Sequence, residues 1–287
     1  MLEIITHVFL HAIEETAKLI PFLFLTYLLL EFIEHKAASK TASLTAKAGV
    51  FGPAVGGILG AVPQCGFSAS ASNLYAGGII STGTLVAIFL STSDEMLPVM
   101  ISEKASFPRI LTILGIKVVC GILIGFLIDL LLRLMKRSPR KSEISGICED
   151  EHCGCENGIF RSALVHTLQI SLFIFLFSLL IGGIVEWIGE ENLAKLVAEA
   201  GIFSTLACGF IGLIPNCASS VVLTELFLDG VIGTGAILAG LLSGSGVGLL
   251  ILFRVNKNIK ENFLITGIIY ASGILIGILF DLLGITL

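Results

Sequence analysis

The chain contains long apolar stretches with almost no charged residues. Residues 110–134 and 232–253 each reach the roughly 20 positions that a helix needs to cross a bilayer, and residues 19–32 and 171–185 approach that length with their flanks. Charged residues make up only 14% of the 287 positions, against about 25% in soluble domains. The sequence therefore predicts an all-α polytopic membrane protein, with the lipid bilayer as its first partner.

Composition also excludes several other classes of protein. The net charge of −5 and the absence of a basic surface argue against nucleic-acid binding. The first residues, "MLEIITHVFLHAIEETAKLI", lack a basic segment and a cleavage site, so we expect an uncleaved first helix. Seven cysteines, mostly in apolar runs, do not indicate a disulfide framework. A transporter or channel is the class that remains, and the sequence leaves open whether it forms a homo-oligomer.

The second half of the sequence repeats the first. Pro63 and Pro215 are 152 positions apart, and "GILIGFLIDLL" at 121–131 recurs at the same spacing as "GILIGILFDLL". A constant offset over some seventy residues indicates a duplicated unit. The same offset pairs Cys65 with Cys217, Ser68 with Ser220, Ser91 with Ser243 and Ser93 with Ser245.

Loop charges predict that the two repeats have opposite orientations. The loop after the first helix contains Lys36, Lys40 and Lys47, whereas the corresponding loop of the second half, residues 186–199, is mainly acidic. Lysine and arginine favour the cytoplasmic side, so equivalent loops fall on opposite faces, as in inverted-repeat transporters. Each half should hold five hydrophobic elements, near 8–34, 45–62, 65–78, 80–101 and 107–135 in the first. We expect repeats at 1–136 and 161–287 in the cytoplasmic membrane, and a cytoplasmic linker at 137–160.

Both repeats place a proline, an amide and a thiol inside an apolar stretch. Pro63-Gln64-Cys65 and Pro215-Asn216-Cys217 should end or kink helices, and irregular backbone at membrane depth is tolerated where it lines a cavity. Such breaks at corresponding positions indicate a substrate site. Close packing of small residues between helices is the alternative.

A second interruption follows in each half, at "LSTSDEMLP" and "LSGSGVGLL". Asp94 and Glu95 occur only in the first, and Lys117 stands where the second half has Ile269. Because ionisable residues inside spans often mark a pathway, these three residues could form a charge set that an entering cation or proton rearranges; capping of a half-helix by the carboxylates is the alternative. Asp129 and Asp281 are expected to anchor helix ends at the interface. The predicted substrate pathway comprises Pro63, Gln64, Cys65, Ser68, Ser91, Ser93, Asp94, Glu95, Lys117, Pro215, Asn216, Cys217, Ser220, Ser243 and Ser245.

The central linker holds soft metal ligands. Cys148, His152, Cys153 and Cys155 fall within eight positions. Thiolate and imidazole suit zinc, copper(I) or cadmium, and trivalent arsenic shares the preference for thiols. The linker is predicted to capture metal on the cytoplasmic face, with a solvated tether carrying incidental cysteines as the alternative.

The block "GAVPQCGFSASASNLYAGGIISTGTLVAIFLSTSDEMLP" resembles the signature of the ten-helix heavy-metal or arsenic efflux permeases. The resemblance extends to the "PNC" block and to the Cys/His linker. It implies export of a metal ion or metalloid such as arsenite. The residues to which it points are Pro63, Gln64, Cys65, Ser91, Ser93, Asp94 and Glu95 in the first half, and Pro215, Asn216 and Cys217 in the second. No Walker A motif is present, so secondary transport is expected, without a resident cofactor.

Two other functions remain open. A permease of the same architecture could carry a small organic solute or an anion, because helix N-termini after Cys65 and Cys217 would favour negative charge. A membrane-embedded enzyme could use Ser91, Ser93, Asp94 and Glu95 near Lys117. The second half keeps the serines without the carboxylates, so no catalytic residue is expected.

Overall fold

The computed structural model of the chain describes most of residues 9–28 together with residues 51–62, 65–93, 96–135, 159–188 and 203–285. Within these ranges every regular element is a helix. The helices are α1 (between residues 9 and 28), α2 (Gly52–Gly60), α3 (Cys65–Ala76), α4 (Thr82–Ser91), α5 (Met96–Ser102), α6 (Phe107–Leu134), α7 (Ile159–Ile188), α8 (Ser204–Gly212), α9 (Cys217–Leu228), α10 (Thr234–Ser243), α11 (Val247–Val255) and α12 (Ile259–Leu282).

Five spans in the described part of the chain are long and apolar enough to cross a membrane. Two are built from consecutive helices: Thr82–Ser102 contains α4 and α5, and Thr234–Val255 contains α10 and α11. The others are Phe107–Leu134, Ala163–Leu180 and Ile259–Leu282. The predicted all-helical, multi-pass membrane protein is confirmed.

The two paired-helix spans lie at the centre of the molecule. Protein buries 75% and 83% of their most apolar windows, against 28% for both α6 and α12. The exposed side chains of α6 and α12 include Leu123, Leu127, Phe263 and Leu275. Lipid tails are the natural neighbours of such surfaces. The exposed side chains are apolar, and the polar backbone groups of a helix are already hydrogen-bonded to one another.

Helices α7 to α12 follow the order of α1 to α6. Helices α2, α3 and α4 begin and end 152 positions before α8, α9 and α10. In one half α2, α4 and α6 pack together, and in the other α8, α10 and α12 do. The halves meet through α3 against α11, through α5 against α9, and through α4 and α6 against α10.

Ring contacts define the relative direction of α1 and α7. The ring of Phe9 lies 5.8 Å from that of Phe175, and Phe24 lies 5.3 Å from Phe160. The contact position moves backwards along α7 as it moves forwards along α1, so the two helices run antiparallel. Leu23, Ile170, Ile174 and Ile251 are among the side chains that fill the core between α1, α3, α7 and α11.

Glycines allow backbones to touch where α6 crosses α4 and where α12 crosses α10. A Cβ atom on Gly125 would lie 2.5 Å from the Gly83 carbonyl oxygen, and one on Gly277 would lie 2.5 Å from the Gly235 carbonyl oxygen. Small residues at helix crossings permit this approach in membranes. The central half-helices α4 and α10 are thereby fixed in depth against the long outer helices.

Candidate substrate pathway

The first residues of the break between α4 and α5 are buried and connected to the end of α2. Helix α4 ends at Ser91 and α5 begins at Met96. Ser91 is fully buried, and its hydroxyl donates to the Ala87 carbonyl at 2.8 Å. Ser93 is 2% exposed, and its hydroxyl donates to the Ala61 carbonyl at 2.7 Å. Since Ala61 directly follows α2, this hydrogen bond joins the ends of two helices in the first half.

The corresponding break in the second half is also buried. Helix α10 ends at Ser243 and α11 begins at Val247, after Gly246, whose φ of +52° favours glycine. Ser243 and Ser245 are both buried. The hydroxyl of Ser243 has no hydrogen-bond partner among the described residues, and a buried hydroxyl without a partner costs free energy. It is therefore a polar atom that a ligand could contact.

The second proline break lies between α8 and α9. Helix α8 ends at Gly212 and α9 begins at Cys217. Asn216 is 4% exposed, and its carbonyl accepts the Ser219 hydroxyl at 2.8 Å. Ser220 is half-buried. The end of α8 also touches α10, because a Cβ on Gly212 would overlap the Gly240 carbonyl oxygen. Both breaks of the second half thus belong to one packed region.

Ser68 lies where the two halves meet. It is fully buried on α3, and a Cβ on Gly248 of α11 would lie 2.6 Å from the Ser68 Cβ. One turn later, the Ser72 hydroxyl donates to the Gly248 carbonyl at 2.6 Å. The α3–α11 contact therefore includes a hydrogen bond between the halves close to the start of α11.

A cavity of about 520 Å³ borders the second proline break. Pro215 forms part of its wall, and α7 and α11 supply the rest. The lining is mainly apolar, and its one charged residue is Arg254, whose guanidinium lies 5.5 Å from the centre of the Phe173 ring. The lining residues are Phe173, Phe177, Pro215, Leu249, Leu250, Phe253 and Arg254.

Lys117 crosses from one half to the other. Its side chain is only 1% exposed, and the ammonium donates to the Leu241 carbonyl of α10 at 2.6 Å. The sequence grouped this lysine with Asp94 and Glu95, which lie outside the described residues. The described acceptor, the Leu241 carbonyl, lies in the last turn of a central half-helix.

Several predicted residues lie outside the described part of the chain. They are Pro63, Gln64, Asp94 and Glu95, together with the linker ligands Cys148, His152, Cys153 and Cys155. Cys65 and Cys217 are the first residues of α3 and α9, but their side chains also lie outside the described atoms. Among the residues that are described, no three His, Cys, Asp or Glu side chains form a group that could hold a metal.

Asp129 and Asp281 have a role that sequence analysis did not predict. They bind the N-termini of the central half-helices, and their expected place at the membrane interface stays a prediction. Asp129 accepts the Gly83 amide of α4 at 2.9 Å, and Asp281 accepts the Gly235 amide of α10 at 3.0 Å. The offset of 152 positions that pairs the two aspartates also pairs the two glycines. This shared offset was the sequence signal that could have linked each aspartate to its glycine.

Two further contacts between the halves also went unpredicted. Tyr75 donates its hydroxyl to Glu261 at 2.7 Å, and the Arg109 guanidinium lies 5.6 Å from the centre of the Phe227 ring. Tyr75 corresponds to Phe227 and Arg109 corresponds to Glu261 in the sequence repeat. The same two repeat positions are therefore in contact twice, and each position comes from the opposite half in the second contact. One contact is a hydrogen bond and the other places a guanidinium over an aromatic ring.

Comparison with known proteins supplies the identity of the family. The model of the family described as "Putative, 10TM heavy-metal exporter" matches residues 6–166. The matched range contains α1 to α6, the Cys/His linker and the first residues of α7. No curated protein and no solved structure matches the chain. Because the match covers more than half of the 287 residues, the chain belongs to this family.

Proposed function

We propose that this protein is a secondary transporter that exports a metal ion, or a metalloid such as arsenite, across the cytoplasmic membrane. The observation that carries the proposal is the convergence of buried helix breaks at the centre of the molecule. Ser93, Ser243, Ser245 and Asn216 place polar atoms there, in spans that are otherwise apolar. Irregular backbone at membrane depth is the usual setting of transporter substrate sites.

We further propose that the repeats at 1–136 and 161–287 have inverted topology. Antiparallel packing of α1 and α7 supports this arrangement. The exchanged contacts support it as well. Tyr75, near the end of α3, contacts Glu261 in the first turn of α12, whereas Arg109, in the first turn of α6, contacts Phe227 near the end of α9. Corresponding ends of the two central spans would then lie at opposite membrane faces, as alternating access requires.

Epitope tags test this topology. A tag inserted after Lys257, in the basic α11–α12 loop, should be accessible to antibody only in permeabilised cells, because lysine and arginine favour the cytoplasmic side. A tag after Lys104, in the corresponding α5–α6 loop, should be accessible on intact cells. Both loop residues are exposed, so the insertions should leave the spans intact. Accessibility of both tags from the same side would contradict the inverted arrangement.

Soft ligands are proposed to supply the metal preference. Cys65 and Cys217 begin α3 and α9 directly after the proline breaks, and we propose that both thiols bind the substrate. The linker residues Cys148, His152, Cys153 and Cys155 are proposed to gather metal on the cytoplasmic side. Thiol and imidazole ligands favour zinc, cadmium, copper(I) and, by the same softness, arsenite.

Metal accumulation in cells tests the exporter function. Cells that express the protein should accumulate less of one species when manganese, zinc, copper, cadmium and arsenite are compared, because export lowers the steady-state content. The double variant Cys65→Ser/Cys217→Ser should lose this effect. The matched control Cys120→Ser/Cys208→Ser changes two thiols inside α6 and α8 that belong to neither proline–amide–thiol motif, and it should retain export. Unchanged accumulation of all five species, with the protein present in the membrane, would contradict metal export.

A permease for an organic anion is the second candidate, and the cavity beside Pro215 favours it. Phenylalanine and leucine side chains with a single arginine suit an apolar ligand that carries one negative charge. Replacing Arg254 by glutamine would separate the two functions. Organic-anion transport should be lost in this variant, whereas metal export that depends on Cys65 and Cys217 should persist.

A further inference from the structure

Lys117 lies deep in the membrane-spanning part of α6. It is ten residues after Phe107, the first residue of the helix, which corresponds to about 15 Å along the helix axis. In a bilayer whose hydrocarbon core begins at Phe107 and is about 30 Å thick, the lysine lies near the middle. An ionisable side chain at this depth is costly and usually functional.

The ammonium binds the end of a half-helix. Leu241 lies in the last turn of α10, which ends at Ser243, and its carbonyl accepts the Lys117 Nζ at 2.6 Å. The C-terminal end of a helix carries partial negative charge, and in transporters such ends coordinate the coupling cations. Lys117 therefore occupies a position in which a free cation would also be stabilised.

A second observation indicates that this helix end can take a ligand. The Ser243 hydroxyl is fully buried and has no hydrogen-bond partner in the described part of the chain. In the first half, the matching Ser91 hydroxyl is satisfied by the Ala87 carbonyl. The end of α10 thus offers a buried hydroxyl oxygen two residues after the carbonyl that Lys117 contacts.

The repeat shows that the lysine is not needed for helix packing at this position. Ile269 occupies the corresponding site of α12 and is fully buried in the main apolar core. The same crossing is therefore built once with an apolar side chain and once with an ammonium. This asymmetry favours a role for the charge itself.

In the described part of the chain, few other ionisable groups lie on the helices around Lys117. The helices packed on α6, namely α2, α4 and α10, contain none within their bounds. On α6 itself Cys120 is half-buried close to the lysine, and Arg109, Asp129 and Arg133 lie towards the two ends. Asp94 and Glu95 follow α4 in the sequence and lie outside the described residues.

We propose, building on the exporter function above, that Lys117 is a tethered cation that exchanges with a transported metal cation and couples export to proton entry. When the site is open to the cytoplasm, the metal cation binds the Leu241 carbonyl and the displaced ammonium loses a proton to cytoplasmic water. The N–H bond breaks and its electron pair stays on Nζ. After the metal leaves on the outer side, Nζ takes a proton from external water and binds Leu241 again. Each cycle moves one proton inwards and one metal cation outwards through this residue.

Proteoliposomes that contain the purified protein test the coupling directly. A metal-sensitive dye and a pH-sensitive dye in the lumen follow both fluxes after addition of MnCl₂, ZnCl₂ or CdCl₂. Wild-type protein should move metal and protons in opposite directions. Lys117→Ile copies the second half and should abolish the metal-driven proton flux to the level of empty liposomes. Lys117→Arg keeps the charge and a donor to Leu241 but cannot release a proton, so it should fold and fail to exchange.

Each outcome decides the inference. Metal flux in Lys117→Ile without proton flux supports it, as does a folded but inactive Lys117→Arg variant, checked by size-exclusion chromatography and thermal unfolding. The control Lys260→Gln changes an exposed lysine at the start of α12 and should exchange like wild type. Undiminished proton coupling in either Lys117 variant would overturn the tethered-cation role, and so would wild-type metal flux without protons. If none of the three cations moves, the inference fails, while arsenite export in cells would leave the exporter function intact.

Discussion

Replacing Gly125 or Gly277 by alanine will destabilise the folded protein, whereas the same change at Gly115 or Gly267 will not. A Cβ on Gly125 would lie 2.5 Å from the Gly83 carbonyl oxygen, which is closer than van der Waals contact allows. Because the obstructing atom belongs to the backbone, α6 and α4 must move apart to admit the methyl group. Overpacking of this kind costs about 1–3 kcal/mol, and the equivalent crossing of α12 with α10 should respond alike.

The four glycines form a matched set because each helix carries both kinds. Gly115 shares α6 with Gly125, Gly267 shares α12 with Gly277, and a Cβ on Gly115 or Gly267 meets nothing within 4 Å. Alanine is favoured over glycine by about 1 kcal/mol inside a helix, so these two controls should be neutral or stabilising. Unfolding by denaturing detergent, followed by circular dichroism, would measure the difference. Equal stabilities for both kinds of variant would show that the backbone contact at the crossings is looser than a separation of 2.5 Å implies.

Hydropathy and the internal repeat together predicted most of the helices. Apolar stretches must be helical in lipid, because no water is available to satisfy the backbone, and the five predicted elements of the first half correspond to α1, α2, α3, the α4–α5 pair and α6. Ser-x-Ser at 91–93 and 243–245 was predicted as an interruption, and α4 and α10 end at Ser91 and Ser243. These features depend on the residues of a short stretch of chain, so they can be predicted from a single sequence.

Contacts between distant residues could not be predicted in the same way. Lys117 was linked in sequence to the carboxylates Asp94 and Glu95, but the described partner is a backbone carbonyl 124 positions away. A carbonyl belongs to every residue, so no side-chain pattern marks Leu241 as an acceptor. Which carbonyl lies opposite a lysine depends on how α6 and α10 pack, and packing requires coordinates.

The repeat itself, however, contains information about contacts. Tyr75 with Glu261 and Phe227 with Arg109 are the same two repeat positions with the halves exchanged. One of these contacts would have predicted the other. Their chemistry differs, because one is a hydrogen bond to a carboxylate and the other a cation–π contact. The two contact sites therefore use the same repeat positions, but one contains a carboxylate and the other a guanidinium.

Loss of the aspartate that binds each central half-helix is the second large effect we expect. Asp129 accepts the Gly83 amide through one oxygen and the Ser81 hydroxyl, at 2.6 Å, through the other. Both donors belong to the N-terminus of α4, whose partial positive charge favours a carboxylate. Asp129→Ala leaves these donors without their acceptor, which should cost about 1–3 kcal/mol, and Asp129→Asn should cost less because the side chain can still accept one hydrogen bond.

The second half supplies a graded comparison for this effect. Asp281 accepts the Gly235 amide at 3.0 Å and the Thr205 hydroxyl at 2.9 Å, but it is exposed whereas Asp129 is only 8% exposed. Water can replace a lost acceptor at an exposed site, so Asp281→Ala should destabilise the protein less than Asp129→Ala. Asp229→Ala, an exposed aspartate at the α9–α10 turn, should lie within about 0.5 kcal/mol of wild type. Equal losses at all three positions would mean that removal of negative charge, and not loss of the helix-binding acceptor, determines stability.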